Sequence, residues 1–116
     1  MLHLRSLTIS NDDIELISDG LQDYMFLTHL DLSYNRVSGS RGGTAIARII
    51  SRNMEEKGGL NLDYLNVSNN RLGEYGFTNI LSELLNDDNK LQNLNIGYNN
   101  IDKYIMVVNL EKSTER

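Results

Sequence analysis

Few side chains in this 116-residue sequence have the types and spacing that enzyme or metal chemistry needs. The two histidines, His3 and His29, stand far apart and form no metal-binding motif. The glycine-rich stretch SGSRGG at 38–43 lacks the lysine of a phosphate-binding loop, and no Gly-x-Ser-x-Gly occurs. Three acidic pairs are typical of solvated loops: Asp12–Asp13, Glu55–Glu56 and Asp87–Asp88. The sequence therefore predicts no catalytic residue, no metal and no cofactor, and it favours a protein that is not an enzyme.

Composition narrows the class of protein further. Hydrophobic residues make up 40% of the chain, which is enough for a packed core. The net charge of −5 disfavours nucleic acid and anionic membrane surfaces as partners. No apolar run approaches the roughly 20 residues of a membrane span, and the N-terminal MLHLRSLTIS lacks the apolar core of a secretory signal. With no cysteine in the chain, we expect an intracellular, cytoplasmic protein without membrane insertion.

An eleven-residue pattern, L-x-x-L-x-[L/I/V]-x-x-[N/D]-x-[L/I/V], occurs four times. The matching stretches are LRSLTISNDDI at 4–14, LTHLDLSYNRV at 27–37, LDYLNVSNNRL at 62–72 and LQNLNIGYNNI at 91–101. Their first leucines follow one another at intervals of 23, 35 and 29 residues. Internal periods of this size indicate a solenoid or another repeat array.

This pattern resembles the leucine-rich repeat family, and the 29-residue period resembles its ribonuclease-inhibitor-like subclass. The resemblance covers residues 4 to about 101. It implies an α/β fold, a right-handed βα superhelix of about four repeats with a parallel sheet on the concave face and helices on the convex face. We expect one domain over 1–116, with repeats at about 4–26, 27–61, 62–90 and 91–110 and a polar tail at 111–116.

Alternation within the pattern predicts short strands with one buried face. The expected inward pairs are Leu7 and Ile9, Leu30 and Leu32, Leu65 and Val67, and Leu94 and Ile96. Each turn after a strand leaves buried backbone groups, which a short amide can satisfy in the next coil because it both donates and accepts. We therefore expect a structural ladder of Asn35, Asn70 and Asn99, with Asp12 in the same position of the first repeat.

Helices are expected in the second half of each repeat. Apolar residues recur at helical spacing in 45–50, with Thr44 as a candidate N-cap, and about two turns are expected around Ile14, Ile17 and Leu21. A third set consists of Phe77, Ile80, Leu81, Leu84 and Leu85. The apolar run at 104–108 fits a buried helix, an extended segment or a surface covered by a partner.

The outward strand positions are the candidate protein-binding residues. They are His29 and Asp31, Tyr64 and Asn66, and Asn93 and Asn95, with Tyr34 and Tyr98 just past their strands. Polar residues here can simply keep an open sheet in solution, and the two edge tyrosines can either line the sheet or pack on neighbouring coils. Tyr64 beside His29 is the better candidate because tyrosine is enriched among interface hot spots.

The family resemblance implies a protein-binding role. We expect a scaffold or a subunit of a multi-subunit complex, and the subclass occurs in cytoskeletal and ciliary assemblies, actin regulators and immune receptors. The alternative is a regulator of a small GTPase, since Ran GTPase-activating proteins use this repeat type. That activity needs an arginine or an amide at the nucleotide, and Arg36 and Arg71 occupy matching positions after their strands.

Overall fold

Strands and helices alternate along the chain. The computed structural model describes residues 1–21, 26–53, 60–85 and 89–101 and the backbone of 107–109. The pairs Glu55–Glu56 and Asp87–Asp88 and the run at 104–106 lie outside the described residues. The elements are β1 (Leu2–His3), α1 (Asn11–Gly20), β2 (His29–Asp31), α2 (Gly39–Ser51), β3 (Tyr64–Asn66), α3 (Gly73–Leu84), β4 (Asn93–Asn95) and β5 (Val107–Asn109).

The strands form one sheet in the order β1-β2-β3-β4-β5. The first four are parallel and in the same order as in the chain, and β5 pairs antiparallel with β4. Because each connection between β1 and β4 returns the chain to the same end of the sheet, the central Leu30, Leu65 and Leu94 stand side by side. This parallel sheet with three helices is an α/β repeat fold. The backbone at 107–109 takes the extended form among the three that the sequence left open.

The core lies between the sheet and the helices. The central strand leucines Leu30, Leu65 and Leu94 are fully buried, and Leu32, Val67 and Ile96 two positions later are buried as well. The helices contribute Ile14, Ile46, Ile49, Ile50, Ile80 and Leu84 to the same cluster. None of the described strands exceeds three residues, so each strand is stabilised mainly by burial against neighbouring coils.

The predicted cap of α2 was wrong. Helix α2 begins at Gly39 after Ser38, so Thr44 lies inside the helix and does not cap it. Leu81 and Leu85 belong to the apolar set predicted at helical spacing, and they are 37% and 73% exposed. The buried stripe of α3 is narrower than the sequence suggested, because only Ile80 and Leu84 reach full burial among its apolar side chains.

Helices α2 and α3 approach each other through glycine. A Cβ on Gly43 would lie 2.4 Å from the carbonyl oxygen of Gly76 and 2.5 Å from its Cα. A Cβ on Gly76 would in turn lie 2.7 Å from the Gly39 carbonyl oxygen. Any larger residue would therefore push the two helices apart, which explains the glycines near the start of each helix.

The first repeat departs from the predicted frame. Leu2 pairs with Leu30, so the strand lies at Leu2–His3 and not around Leu7. Leu7, predicted to face the core, is 57% exposed. Leu7 follows Leu2 by five residues, as Asn35 follows Leu30 in the second repeat, so Leu7 occupies the asparagine position of the pattern. Two alternations in the first repeat match the strand pattern equally well, Leu2-x-Leu4 and Leu7-x-Ile9. Parallel pairing with β2 shows that the strand forms at Leu2.

The same shift removes Asp12 from the ladder. Asp12 lies in the first turn of α1, exposed to solvent, where it pairs with Arg41 of α2. The turn of the first repeat instead closes through backbone N–H groups of Leu7 and Ile9, which both donate to Oδ1 of Asn35. The prediction for Asp12 was therefore wrong, because it placed the first turn five residues too late.

Candidate protein-binding surface

Six of the predicted binding residues form two rows across one face of the sheet. His29, Tyr64 and Asn93 are paired in register in the first row, and Asp31, Asn66 and Asn95 in the second. All six are half-buried, whereas the leucine between each pair is fully buried. These six side chains are named the sheet surface below. Their common side follows from the two-residue period of a strand.

The first row contains an aromatic contact. The rings of His29 and Tyr64 lie 5.7 Å apart between centroids and are tilted by 35°. The imidazole Nδ1 of His29 also lies within hydrogen-bond distance, 3.0 Å, of the hydroxyl of Thr28. Two rings in contact form an apolar area within an otherwise polar face, and their mutual contact reduces the rotamer freedom that is lost when a partner covers them.

The side chains of the second row also form hydrogen bonds to the backbone. Oδ1 of Asp31 accepts from the backbone N–H of Ser33 at 2.9 Å, and Oδ1 of Asn66 accepts from Ser68 N–H at 3.0 Å. Asn95 repeats this contact with the N–H of Gly97 at 3.1 Å. Such bonds from a short polar side chain to the backbone two residues on stabilise the turn at the strand end. Part of the polarity of this row is therefore structural.

His3 joins the second row, which the sequence prediction missed. It pairs with Asp31 across β1 and β2, and its Nδ1 lies 3.9 Å from Oδ2 of Asp31. Reading the strand as Leu2-x-Leu4 would have found it. His3 and His29 are thus on neighbouring strands, yet the described parts of the chain hold no group of three side chains that could bind a metal ion.

Asn35, Asn70 and Asn99 connect each coil to the preceding one and not, as predicted, to the next. Oδ1 of Asn70 accepts from the N–H of Val37, and its Nδ2 donates to the Leu32 carbonyl, at 3.0 Å each. Asn99 does the same with the N–H of Leu72 and the carbonyl of Val67. Since these amides are 7% exposed or less, they satisfy groups that water cannot reach.

Two further buried asparagines near the helix ends bond to the backbone of other segments, and the sequence pattern did not identify them. Asn53 donates to the carbonyl of Leu62 and accepts from its N–H, at 2.8 and 2.7 Å. Asn89 donates to the carbonyl of Ile50 at 2.7 Å. Neither occupies a fixed place in the eleven-residue pattern, so spacing alone gave no signal for them.

Tyr34 and Tyr98 occupy one recurring backbone position. Ser6, Tyr34, Asn69 and Tyr98 each lie four residues after a paired strand leucine, and their φ angles are between 57° and 59°. Asparagine and glycine adopt this left-handed conformation most readily, and a bulky residue there is uncommon. Tyr34 and Tyr98 are 50% and 63% exposed. Both tyrosines line the edge of the sheet. Because their rings are exposed, burial does not offset the cost of the left-handed backbone.

Charged side chains on the helices join α1 to α2. Arg41 contacts Glu15 and Asp12, and these hydrogen bonds raise its pKa and lower the pKa of Glu15. Arg48 lies 2.5 Å from a carboxylate oxygen of Asp19. All of these groups are exposed in part, so each pair contributes little to stability. The charged side chains on this face of α1 and α2 pair with one another, so they do not indicate a binding site.

Helix α1 begins with a reciprocal cap. The hydroxyl of Ser10 accepts from the backbone N–H of Asp13, and the carboxylate of Asp13 accepts from the backbone N–H of Ser10. The second bond, together with one from the Ser10 hydroxyl, lowers the pKa of Asp13. This capping box fixes where the chain leaves the first turn.

No helix in the described ranges is long and apolar enough to cross a membrane. The Leucine Rich Repeat family model matches residues 26–44 and 61–86. These segments contain β2 with the start of α2, and β3 with α3. A search of curated proteins found no matching relative. Leucine-rich repeats generally mediate protein–protein interaction and are typically non-catalytic. The family match and the repeated strand-turn-helix coils make residues 26–86 similar to leucine-rich repeat proteins.

Proposed function

We propose that this chain is a non-catalytic protein-binding module that acts as a scaffold or as a subunit of a larger, intracellular assembly. The proposal takes 1–116 as one domain, a right-handed solenoid of the ribonuclease-inhibitor-like type with the sheet on its concave side. The partner lies on the sheet surface. The observation that carries the proposal is the His29–Tyr64 ring contact in the middle of a half-buried polar face.

The make-up of the sheet surface supports a protein partner. Its side chains are one carboxylate, three amides, one imidazole and one phenol, so it offers many hydrogen bonds and little net charge. Tyrosine at the centre of a polar rim is the usual composition of a protein interface. A specific metal or a nucleotide would need converging ligands or cations, which these two rows do not provide.

The area of the sheet sets a limit on the contact. Four parallel strands span roughly 15 Å at the usual strand spacing. A standard interface covers about 800 Å² on each partner. The sheet surface alone is smaller than that, so we expect the partner also to contact the strand-end edge, where Tyr34 and Tyr98 are exposed.

A capture experiment with matched tyrosine variants tests this role. Proteins retained from a cell extract by the wild type are compared by quantitative mass spectrometry with those retained by Tyr64→Ala and Tyr75→Ala. Tyr75 is 81% exposed on α3, away from the sheet. We expect Tyr64→Ala to lose a protein that Tyr75→Ala retains. Identical retention by all three chains would contradict binding through the sheet surface.

A regulator of a small GTPase is the second candidate. Arg36 and Arg71 are both exposed, and their backbone N–H groups donate to Ile9 and Val37 at 2.8 Å in equivalent positions of successive coils. Among the described residues, neither guanidinium forms an ion pair. A GTP-hydrolysis assay over a panel of small GTPases separates the two roles. Stimulation that Arg36→Ala or Arg71→Ala abolishes would favour the regulator, and its absence favours the scaffold.

A further inference from the structure

A cavity of about 280 Å³ opens where the strands end, beyond the second row of the sheet surface. It is named the strand-end cavity here. Its lining includes Arg5, Tyr34, Asn66, Asn69, Asn95 and Tyr98. Four successive coils contribute to it, so it is a product of the repeat and not of one loop.

Two side-chain amides leave hydrogen-bond donors available in the strand-end cavity. The carbonyl oxygens of Asn66 and Asn95 accept from backbone N–H groups, which can only donate, so the orientation of both side-chain amides is fixed. The Nδ2 groups are therefore left to donate, and no acceptor for them occurs among the described residues. None of the described side chains that line the cavity is acidic. Asp31 is not part of the lining: its Oδ1 accepts from the N–H and the hydroxyl of Ser33, and its Oδ2 lies 3.9 Å from Nδ1 of His3.

Arg5 supplies a positive charge to this cavity. Its guanidinium carbon lies 4.8 Å from the centroid of the Tyr34 ring, stacked on an exposed aromatic face. No carboxylate in the described part of the chain pairs with it. Stacking orients the planar guanidinium while leaving its N–H groups available, and that geometry suits a carboxylate.

Tyr34 and Tyr98 flank the cavity. They stand in the same backbone position of coils two apart, with Asn69 between them. Two strand spacings separate their backbones by about 9.6 Å. This backbone separation is wide enough for one extended peptide chain to lie across the cavity. Because a small residue would adopt the left-handed backbone at lower cost, the two tyrosines are better explained by contact with a ligand than by the fold.

We propose that the strand-end cavity binds a carboxylate on an extended acidic segment of a protein partner. Arg5 contacts the carboxylate, the amides of Asn66 and Asn95 donate to it or to the adjacent peptide carbonyl, and the rings of Tyr34 and Tyr98 hold the chain from both sides. This inference rests on the proposed protein-binding function and specifies the chemistry of the partner.

Titration with a defined peptide tests the proposal. The probe is a blocked pentapeptide of three central glutamates flanked by glycines, and its matched control carries glutamine in place of glutamate. In ¹H–¹⁵N spectra, we expect the side-chain amide signals of Asn66 and Asn95 to shift with the acidic peptide. The glutamine peptide is expected to bind at least tenfold more weakly. Equal shifts with both peptides would overturn the carboxylate assignment.

Two arginine variants separate a direct contact from general attraction. Arg5→Gln should weaken the acidic peptide at least fivefold, whereas Arg71→Gln, which removes the same charge outside the cavity lining, should weaken it less than twofold. Equal weakening would show that net charge alone attracts the peptide, and would overturn the site. If the peptide does not bind while Tyr64→Ala still loses a captured protein, the cavity proposal fails and the sheet-surface proposal stands.

Discussion

Replacing Asn70 with alanine removes the amide that joins the third coil to the second. Oδ1 of Asn70 is the acceptor for the buried N–H of Val37, and Nδ2 donates to the carbonyls of Leu32, Val67 and Ser68. The Leu32 carbonyl keeps a second donor, because Nδ2 of Asn35 also reaches it at 2.9 Å. The N–H of Val37 has no second acceptor in the described structure.

The expected loss follows from those contacts. An orphaned buried donor costs about 1–3 kcal/mol, and weaker hydrogen bonding to the three carbonyls adds roughly 1 kcal/mol. We therefore expect Asn70→Ala to lower the free energy of unfolding by about 2–4 kcal/mol, a large part of the 5–15 kcal/mol typical of a domain. At about 4 °C per kcal/mol for a chain of this length, the melting temperature should fall by roughly 8–16 °C.

Chemical denaturation monitored by circular dichroism measures this loss, with Asn79→Ala as the control. Asn79 also donates across two coils, to the Ser40 carbonyl at 3.0 Å, but this contact is exposed. Its removal should cost less than about 1 kcal/mol, since water can replace the lost bond. Equal destabilisation by the two variants would refute the ladder argument.

Three further predictions concern the core, the helix contact and the first cap. Leu65→Asp places a charge at a fully buried strand centre, so we expect cooperative unfolding to be lost in circular dichroism melts. Gly43→Ala forces α2 away from the backbone of α3 and should lower the melting temperature clearly, whereas Gly20→Ala meets nothing within 4 Å and should not. Asp13 should titrate below its ordinary pKa in NMR, and Ser10→Ala should return the pKa towards the ordinary value. Since the folded pKa is lowered, the stability from this cap is present above the unfolded pKa and is lost as pH falls through the folded value.

Each of these predictions has a contradicting result. A Leu65→Asp chain that melts like the wild type would contradict the inward strand face. Equal melting of the two glycine variants would show that α2 and α3 tolerate separation. An unchanged Asp13 titration in Ser10→Ala would show that the capping box does not set that pKa.

The sequence predicted the second to fourth coils well because their pattern has a unique frame. In those coils a buried asparagine lies five residues after the central strand leucine. This spacing alone predicted that Leu30, Leu65 and Leu94 are the buried strand leucines. The first coil lacks that asparagine, and two leucine alternations there fit the strand equally well. Only pairing with β2 distinguishes them, and pairing is a contact between distant residues that one coil's sequence does not encode.

For the candidate surface too, the sequence predicted what depends on local spacing and missed what depends on contacts between coils. Alternation placed His29, Tyr64 and Asn66 on one face, since strand periodicity is a local property. It could not bring His3 beside Asp31, because that neighbour depends on the frame of the first coil. Nor could it foresee the strand-end cavity, which four coils build together. The left-handed backbone at Tyr34 and Tyr98 has no signature in the residue types found there.

The most direct test is the affinity of a purified partner for the wild type and for Tyr64→Ala, measured by isothermal titration calorimetry. Protein binding through the sheet surface predicts at least a tenfold loss of affinity, equivalent to about 1.4 kcal/mol. The melting temperature should stay close to that of the wild type, since Tyr64 is half-buried and outside the core cluster. Equal affinity of the two chains, with both folded, would contradict the proposal.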